Sequence, residues 1–321
     1  MGKETEQDTC NIVQWKEGGR IVKRNKIVFL LGVLVILIGC YVGLQFWNES
    51  KAAKEEEQKE AKVVKVKTLE ALTEISYTYN ESKFVFEKKD GTWIYAPDEK
   101  FPLEQTYVET MENTFSTIQA ERELEGADAL IDYGLEQPAY TIHLKNEAGE
   151  ETDVYIGNSV NDGYYMTVGD KSKVYTVSSS ILSPIQYDLM SLLSNDAFPY
   201  INSGQLEKVV MTKKNKTETF LKEEEDAITT LESAIGGITL SDCADYYMEA
   251  AEADAYGMDE KNVTKVEVTY TDSNEKEQEF TFYIGATDSE GENRYVKLGE
   301  SHIIYKVDRT KFQEMDTLFE K

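Results

Sequence analysis

The apolar positions of the chain open with one unbroken run, residues 27–46, which contains no charged side chain. A helix of this length, rising about 1.5 Å per residue, spans the roughly 30 Å hydrocarbon core of a bilayer. The run from Ile27 to Phe46 is therefore predicted to be a transmembrane helix, with Trp47 in the interfacial region at its far end. A buried core helix is the alternative, which the adjacent basic cluster disfavours.

The basic residues before this run predict its orientation. Lys23, Arg24 and Lys26 directly precede it, and such residues stay on the cytoplasmic side of a membrane. The pattern therefore indicates a single-pass cell-membrane protein. Its expected parts are a cytoplasmic tail (residues 1–26), a helix in contact with membrane lipid (residues 27–47) and an extracytoplasmic remainder.

A lipoprotein signal sequence is a second interpretation of the same segment. Leu37 to Cys40 fit the short box that precedes a lipidated cysteine, so Cys40 is a candidate for lipidation. The chain stays hydrophobic as far as Trp47, whereas a mature lipoprotein usually becomes polar after its cysteine. This favours the membrane helix, and both interpretations place the rest of the chain outside the cell.

Charged residues dominate the chain beyond the run. Residues 48–321 contain 56 acidic and 28 basic groups, a net charge of -28. Such a surface repels nucleic acid and anionic membranes, so the charge argues against nucleic-acid binding. Residues 48–67 are rich in Lys, Glu and Ala, which combines high helix propensity with little apolar surface. They are predicted to form a solvated helical stalk.

After the stalk, the apolar pattern repeats itself. Two stripes of apolar residues at helical spacing share the same intervals and predict one helix in each copy. The stripes are Val108, Met111, Phe115 and Ile118 in the first copy, and Ile228, Leu231, Ile235 and Ile238 in the second. A Tyr-Gly pair follows each stripe, at residues 133–134 and 256–257.

Alternating apolar and polar residues then predict the strands of an antiparallel meander in each copy. The two meanders share a Tyr-Ile-Gly sequence, at residues 155–157 and 283–285. Tyr155, Tyr165 and Tyr175 recur in the second copy and are interpreted as scaffold. Tyr164 aligns with Arg294, which makes Tyr164 a candidate for an interaction surface.

A β-hairpin is expected before each helix and a capped helix after each meander. Asp90-Gly91 marks a tight turn in the first hairpin, and the final helices are expected to begin at Ser178 or Ser179 and at Asp308. The predicted fold class is α+β: an N-terminal transmembrane helix, then two degenerate copies of a hairpin–helix–antiparallel meander–helix unit. The copies are expected at residues 68–202 and 203–321.

Candidate catalytic groups are isolated along the chain. His143 and His302 have no Cys or His neighbours in the sequence. Ser273 and Lys276 form a Ser-x-x-Lys motif, but they lie in a predicted polar turn that needs such residues anyway. The acidic stretch 288–293 lacks the pattern of a calcium-binding loop. The sequence therefore predicts no catalytic, cofactor or metal site, and a protein that is not an enzyme.

Several of these motifs resemble the bacterial family of domains of unknown function DUF4340. The resemblance rests on residues 90–94 (DGTWI), 132–138 (DYGLEQP), 155–157 (YIG) and 163–165 (GYY). It covers residues 68–200 well and the second copy more weakly, and Glu136 stands where the family usually has Asp. The resemblance implies a membrane helix and an association with ABC-type transporter components, and it implies no catalytic residues.

These observations favour a non-enzymatic accessory or binding subunit of an ABC-type transporter or envelope complex, with transporter subunits as partners. Two alternatives remain open. An envelope hydrolase using carboxylates would have a deep pocket with carboxyl groups of raised pKa. A lipid-anchored solute-binding protein would have a cleft between the two copies and lipidation at Cys40.

Overall fold

A computed structural model describes residues 63–321, and antiparallel strands dominate it. Apolar residues face inward and polar residues outward along many strands, as half-buried sheets require. Eight strands form the first sheet: β2 (Leu72–Tyr79), β3 (Ser82–Lys89), β4 (Thr92–Tyr95), β6 (Arg122–Glu123), β7 (Tyr140–Asn146), β8 (Glu151–Val160), β9 (Gly163–Val168) and β10 (Tyr175–Ser178). Their order across the sheet is β4-β3-β2-β7-β8-β9-β10-β6.

The second sheet has seven strands. They are β11 (Leu206–Lys213), β12 (Lys216–Leu221), β13 (Asp242–Asp245), β14 (Thr264–Thr271), β15 (Glu277–Thr287), β16 (Asn293–Leu298) and β17 (Ile304–Asp308). Their order is β12-β11-β14-β15-β16-β17-β13, which is the order of the first sheet without β4. The first residues of β2 and β11 carry a register shift at the same place, Leu72/Glu74 and Leu206/Lys208. The register therefore defines equivalent positions in the two sheets.

One longer α-helix packs on each sheet and closes its core. These helices are α1 (Gln105–Ser116) and α2 (Glu225–Gly236). The buried side chains of α1 are Val108, Met111 and Phe115, and those of α2 include Ile228, Leu231 and Ile235. The predicted helical stripes are thus confirmed for their first three residues, whereas Ile118 lies on the strand that follows α1 and Ile238 lies beyond the end of α2. Two shorter helices follow in the second half, α3 (Ala253–Tyr256) and α4 (Gln313–Glu320).

A separate two-stranded sheet pairs β1 (Val64–Thr68) with β5 (Thr117–Ala120). Residues 48–62 of the predicted helical stalk (residues 48–67) lie outside the described residues. From Val64 onward the backbone is extended, because it bonds to the strand that follows α1. Val66 packs against the core of the first sheet.

The predicted fold class, α+β with an N-terminal transmembrane helix, is wrong for the chain that the structure describes. Three antiparallel sheets make up most of the regular secondary structure of residues 63–321, and the helices are few and short. Most backbone groups therefore pair between strands rather than within helices. The predicted membrane segment, with Ile27, Phe46, Trp47, Cys40 and the flanking Lys23, Arg24 and Lys26, lies outside the described residues.

The predicted cell-membrane localisation is corrected along with the fold class. Within residues 63–321 no helix is both long and apolar enough to span a bilayer. The longest α-helices there have 12 residues, which corresponds to a length of about 18 Å. A hydrocarbon core of roughly 30 Å needs about 20 apolar residues.

The helix expected after the first meander is also corrected. Ser178 accepts a hydrogen bond from the Ser180 amide as a cap, but the segment that follows is a 3₁₀-helix, Ser179–Ile185. Pro184 lies inside this segment. Proline lacks the amide hydrogen of an α-helical bond and restricts the residue before it. The second copy has no proline there, and its 3₁₀ turn leads into α4.

Aromatic and charged residues join the two sheets within one compact unit, residues 64–321. Tyr246 follows β13 of the second sheet but packs against the core of the first. Its ring meets that of Phe101 edge-on with centroids 5.2 Å apart, and its hydroxyl donates to Asp98 Oδ2 at 2.6 Å. Lys100 Nζ lies 2.5 Å from Glu249 Oε1. These contacts connect the β4–α1 segment with the residues after β13.

Tyr246→Phe is expected to lower the free energy of unfolding by about 1 kcal/mol, because it removes the hydrogen bond to a partly solvated Asp98. That bond, followed by burial, raises the pKa of Tyr246 to about 12. An unfolded tyrosine ionises near pH 10, so the contribution is present below pH ~10 and is lost between pH ~10 and ~12. Denaturant unfolding from pH 7 to 12 measures both effects.

The Tyr246→Phe variant should lose stability less steeply above pH ~10 than the wild type. Tyr200→Phe is the control, since the Tyr200 side chain stands in solvent. Parallel pH profiles for wild type and Tyr246→Phe would contradict a hydrogen bond that contributes to joining the sheets.

Candidate functional site

The second sheet carries an open cavity whose wall begins at the Tyr256-Gly257 turn. Gly257 has φ +65° and ends α3, and the turn presses against the β15 strand at Gly285. A Cβ atom on Gly285 would lie 2.1 Å from the carbonyl oxygen of Tyr256. Only glycine permits this approach. The rings of Tyr256 and Tyr295 meet edge-on 5.1 Å apart and close the packing beside it.

The first sheet contains the same arrangement. A Cβ atom on Gly157 would lie 2.2 Å from the carbonyl oxygen of Tyr133, and Gly134 takes φ +70°. Tyr133 and Tyr165 pair edge-on at 4.8 Å. The repeated Tyr-Gly and Ile-Gly sequences are therefore two sides of one backbone contact, present in both sheets.

The cavity of the second sheet has a volume of about 760 Å³ and a strongly charged lining. Arg294 on β16 is held in place by hydrogen bonds, and its side chain is only 12 % exposed. Its Nε and Nη2 donate to the Gly285 carbonyl, and Nη1 donates to both carboxylate oxygens of Asp316. Arg294 thus ties β15 to α4 and holds two walls of the cavity together.

Three further basic residues line this cavity: Lys213, Lys214 and Arg309. None of them forms an ion pair within residues 63–321. Lys213 and Lys214 lie at the tip of the β11–β12 hairpin, and Arg309 follows β17. Lys216, across the same hairpin, donates to the Phe319 carbonyl and stacks over the Phe319 ring. The hairpin tip is thereby held against the end of α4.

A second cavity, of about 400 Å³, lies in the first half. Its lysines differ from those of the larger cavity because they have partners. Lys67 pairs with Glu150 at 2.9 Å, and Lys173 pairs with Glu123 at 2.9 Å. Its basic groups are therefore already compensated by carboxylates of the chain.

The segment that connects the two sheets exposes a large aromatic side chain. Tyr200 is 79 % exposed, the highest value among the exposed large hydrophobic residues of the described chain. Its neighbours are anchored on both sides. Phe198 packs edge-on against Phe280 and Phe282, and Ile201 is buried in the core of the second sheet. The Tyr200 ring is therefore presented from a fixed backbone.

The isolated candidates from the sequence remain apart in the structure. His143 lies on β7, with Nδ1 2.8 Å from Asp153 Oδ1, and Tyr155 donates to the other oxygen of Asp153. His302 precedes β17 and stacks on Tyr247. The structure therefore does not bring the two histidines into one cluster.

The polar turns that were considered as sites have local hydrogen bonds. Lys276 donates its backbone amide to Asp272 Oδ1, so this end of the Ser-x-x-Lys motif closes a turn. Asp288 accepts from the amides of Glu292 and Asn293 in the same way. Tyr164 lies on β9, half-buried against the first core, and its role in an interaction surface stays a prediction.

The cavity residues Lys213, Lys214 and Arg309 were missed by sequence reasoning. The repeat contained a usable signal, because each of them stands where the first copy has an uncharged residue. Local motifs could not reveal the site, since the three come from a hairpin tip and a strand end almost 100 positions apart.

The fold and the site define a protein with two equivalent antiparallel sheets and an open, charged cavity on the second sheet. A family model described as a domain of unknown function (DUF4340) matches residues 93–254, just over half of the chain. The chain belongs to this family, as the sequence motifs indicated. The matched region begins within β4 and ends within α3, so it includes the Asp98–Tyr246 contact between the sheets. No curated protein and no solved structure matches the chain.

Proposed function

We propose that this protein is a non-enzymatic accessory or binding subunit of a larger assembly, in which Tyr200 is an anchor for a partner protein. The observation that carries the proposal is the exposure of the Tyr200 ring between two anchored neighbours, Phe198 and Ile201. Tyrosine is enriched among the residues that dominate binding energy at protein interfaces. A ring held by a fixed backbone loses little conformational entropy on binding.

The net negative charge of the chain favours a partner with a basic surface. The net charge of -26 favours association with a basic surface and speeds the encounter at low salt. The resemblance to the DUF4340 family implies an association with ABC-type transporter components, which makes a transporter subunit the proposed partner.

In-cell photo-crosslinking tests this proposal. A photoreactive phenylalanine analogue replaces Tyr200 in the full chain at native expression, and crosslinked proteins are identified by mass spectrometry. We expect an ABC-type transporter subunit to be captured at position 200. The matched control places the same analogue at Leu221, an exposed apolar residue on β12.

Two results would overturn the proposal. The first is capture of no transporter or envelope component from position 200. The second is equal capture from positions 200 and 221, which would indicate random encounter. Tyr200→Ala should reduce co-purification of the identified partner by about tenfold or more without lowering stability, since a hot-spot residue contributes at least 1.4 kcal/mol.

A further inference from the structure

We infer that the cavity of the second sheet is a binding site for a small molecule that carries one anionic group, a carboxylate or a phosphate. The basic residues Lys213, Lys214 and Arg309 would hold that group. This inference is independent of the proposed role of Tyr200. It rests on the presence of these basic groups in the lining of one cavity and on the comparison of the two sheets.

Four basic side chains line one cavity in a protein whose net charge is -26. Lys213, Lys214 and Arg309 have no carboxylate partner within residues 63–321, although acidic residues outnumber basic ones in the chain by 60 to 34. Basic groups that converge on a cavity without such partners favour an anionic ligand. The planar guanidinium of arginine matches both carboxylate and phosphate.

The equivalent positions of the first sheet lack this charge. Lys213 and Tyr79 each form the last pair of their hairpin, with Lys216 and Ser82. Lys214 follows as Asn80 does, and Arg309 begins a 3₁₀ turn as Ser179 does. Arg294 lies opposite Val307 as Tyr164 lies opposite Val177. All four basic residues of the cavity are therefore absent from the first copy, so the scaffold does not require them.

The backbone conformation of Lys214 comes from the turn of the β11–β12 hairpin. Lys214 has φ +54°, whereas Asn80 has φ +47° at the equivalent turn position. Asparagine tolerates the left-handed region better than lysine does. Glu81, Lys171 and Glu275 adopt the same conformation at other strand connections, so this feature belongs to the hairpin turn, and Lys214→Asn should preserve the backbone.

The size and remaining charges of the cavity narrow the ligand class. A volume of about 760 Å³ suits a small organic molecule. The lining also contains Asp254 and Glu320, while Asp316 is already paired with Arg294. A ligand with an anionic group at one end and a neutral or cationic remainder therefore fits better than a polyanion. Arg294 is a positioning residue, because the Gly285 carbonyl and Asp316 occupy its donors.

Isothermal titration calorimetry with the full chain at constant ionic strength tests the inference. The probes are phosphoethanolamine and γ-aminobutyrate, which carry a phosphate or a carboxylate beside an ammonium group. Ethanolamine lacks the anionic group and is the negative probe. We expect saturable binding of at least one anionic probe and none of ethanolamine. The stronger of the two anionic probes distinguishes a phosphate ligand from a carboxylate ligand.

Variants distinguish binding at a specific site from attraction by the overall electrostatic field of the protein. Lys214→Asn with Arg309→Gln should weaken binding by about tenfold or more, because both substitutions remove a charged donor to the anionic group. The matched control, Lys83→Gln with Lys276→Gln, removes the same charge from two exposed sites outside the cavity. It should change the affinity by less than about twofold.

The single variant Lys214→Asn tests whether weaker binding could result from misfolding. It installs the residue found at the equivalent turn of the first sheet, so its stability should equal or exceed that of the wild type while binding weakens. The inference is overturned if neither anionic probe binds. It is also overturned if the control pair weakens binding as much as the cavity pair.

Discussion

Gly157→Ala and Gly285→Ala are each expected to lower the free energy of unfolding by about 3 kcal/mol. In both cases the new methyl group would lie about 2 Å from a backbone carbonyl oxygen, of Tyr133 or of Tyr256. A backbone oxygen at a strand–turn contact cannot move aside as a flexible side chain can, so the strand or the turn must shift. Denaturant unfolding followed by circular dichroism measures the loss.

Gly236→Ala is the matched control for these substitutions. Gly236 is the last residue of α2, and the nearest atom to an added Cβ is the Ile201 carbonyl oxygen at 3.8 Å, an ordinary contact. Alanine has the higher helix propensity, so this variant should be neutral or more stable by up to about 1 kcal/mol. Unfolding midpoints of Gly157→Ala and Gly285→Ala that match the control would refute the backbone contact in the corresponding sheet.

Glu232→Met is expected to destabilise the protein by about 2–3 kcal/mol. Glu232 is a buried residue of α2, and its Oε1 accepts from the backbone amides of Gln205 and Leu206 at 3.1 and 3.3 Å. Methionine fills a similar volume but accepts no comparable bond, which leaves two amides at the start of β11 without a partner. Thermal unfolding at neutral pH, together with amide exchange at Leu206, measures the effect.

Two further variants make this test specific. Glu232→Gln keeps a side-chain oxygen as acceptor and should cost less than about 1 kcal/mol. Glu112→Met changes the equivalent residue of α1, which accepts from Trp93 Nε1 and from Lys88 Nζ. Its cost should be smaller than that of Glu232→Met, because Lys88 remains partly exposed to water. Equal stability of Glu232→Met and Glu232→Gln would show that the amides find another acceptor.

The elements that depend on local sequence were predictable. The stripe Val108, Met111 and Phe115 is the buried face of α1, as its spacing indicated. Asp90 and Gly91 have φ +50° and +84°, the conformation of the tight hairpin turn that this pair predicts. Ser178 and Asp308 each accept a backbone hydrogen bond as caps. Helix periodicity, turn chemistry and caps involve only near neighbours in the chain, so the sequence displays them directly.

Several features of the site were not predictable in this way. Glu112 and Glu232 recur at equivalent positions of the two helices. Their role as hydrogen-bond acceptors, however, depends on strands that are distant in sequence from the helices. Gly157 and Gly285 were visible only as the ends of a repeated Tyr-Ile-Gly sequence, whereas each one permits contact with a carbonyl oxygen more than 20 positions away. The helix expected after Ser178 gave way to a 3₁₀ segment because of Pro184.

The sequence by itself determined the membership in the DUF4340 family, the repeated helical stripes and the acidic character of the chain. These properties follow from residue types and short spacings. Only the tertiary structure decided the order of the strands in the two large sheets and the placement of Lys213, Lys214 and Arg309 in one cavity. Strand pairing brings together residues that are far apart in the chain, and the charge of a cavity depends on which of them meet a carboxylate there.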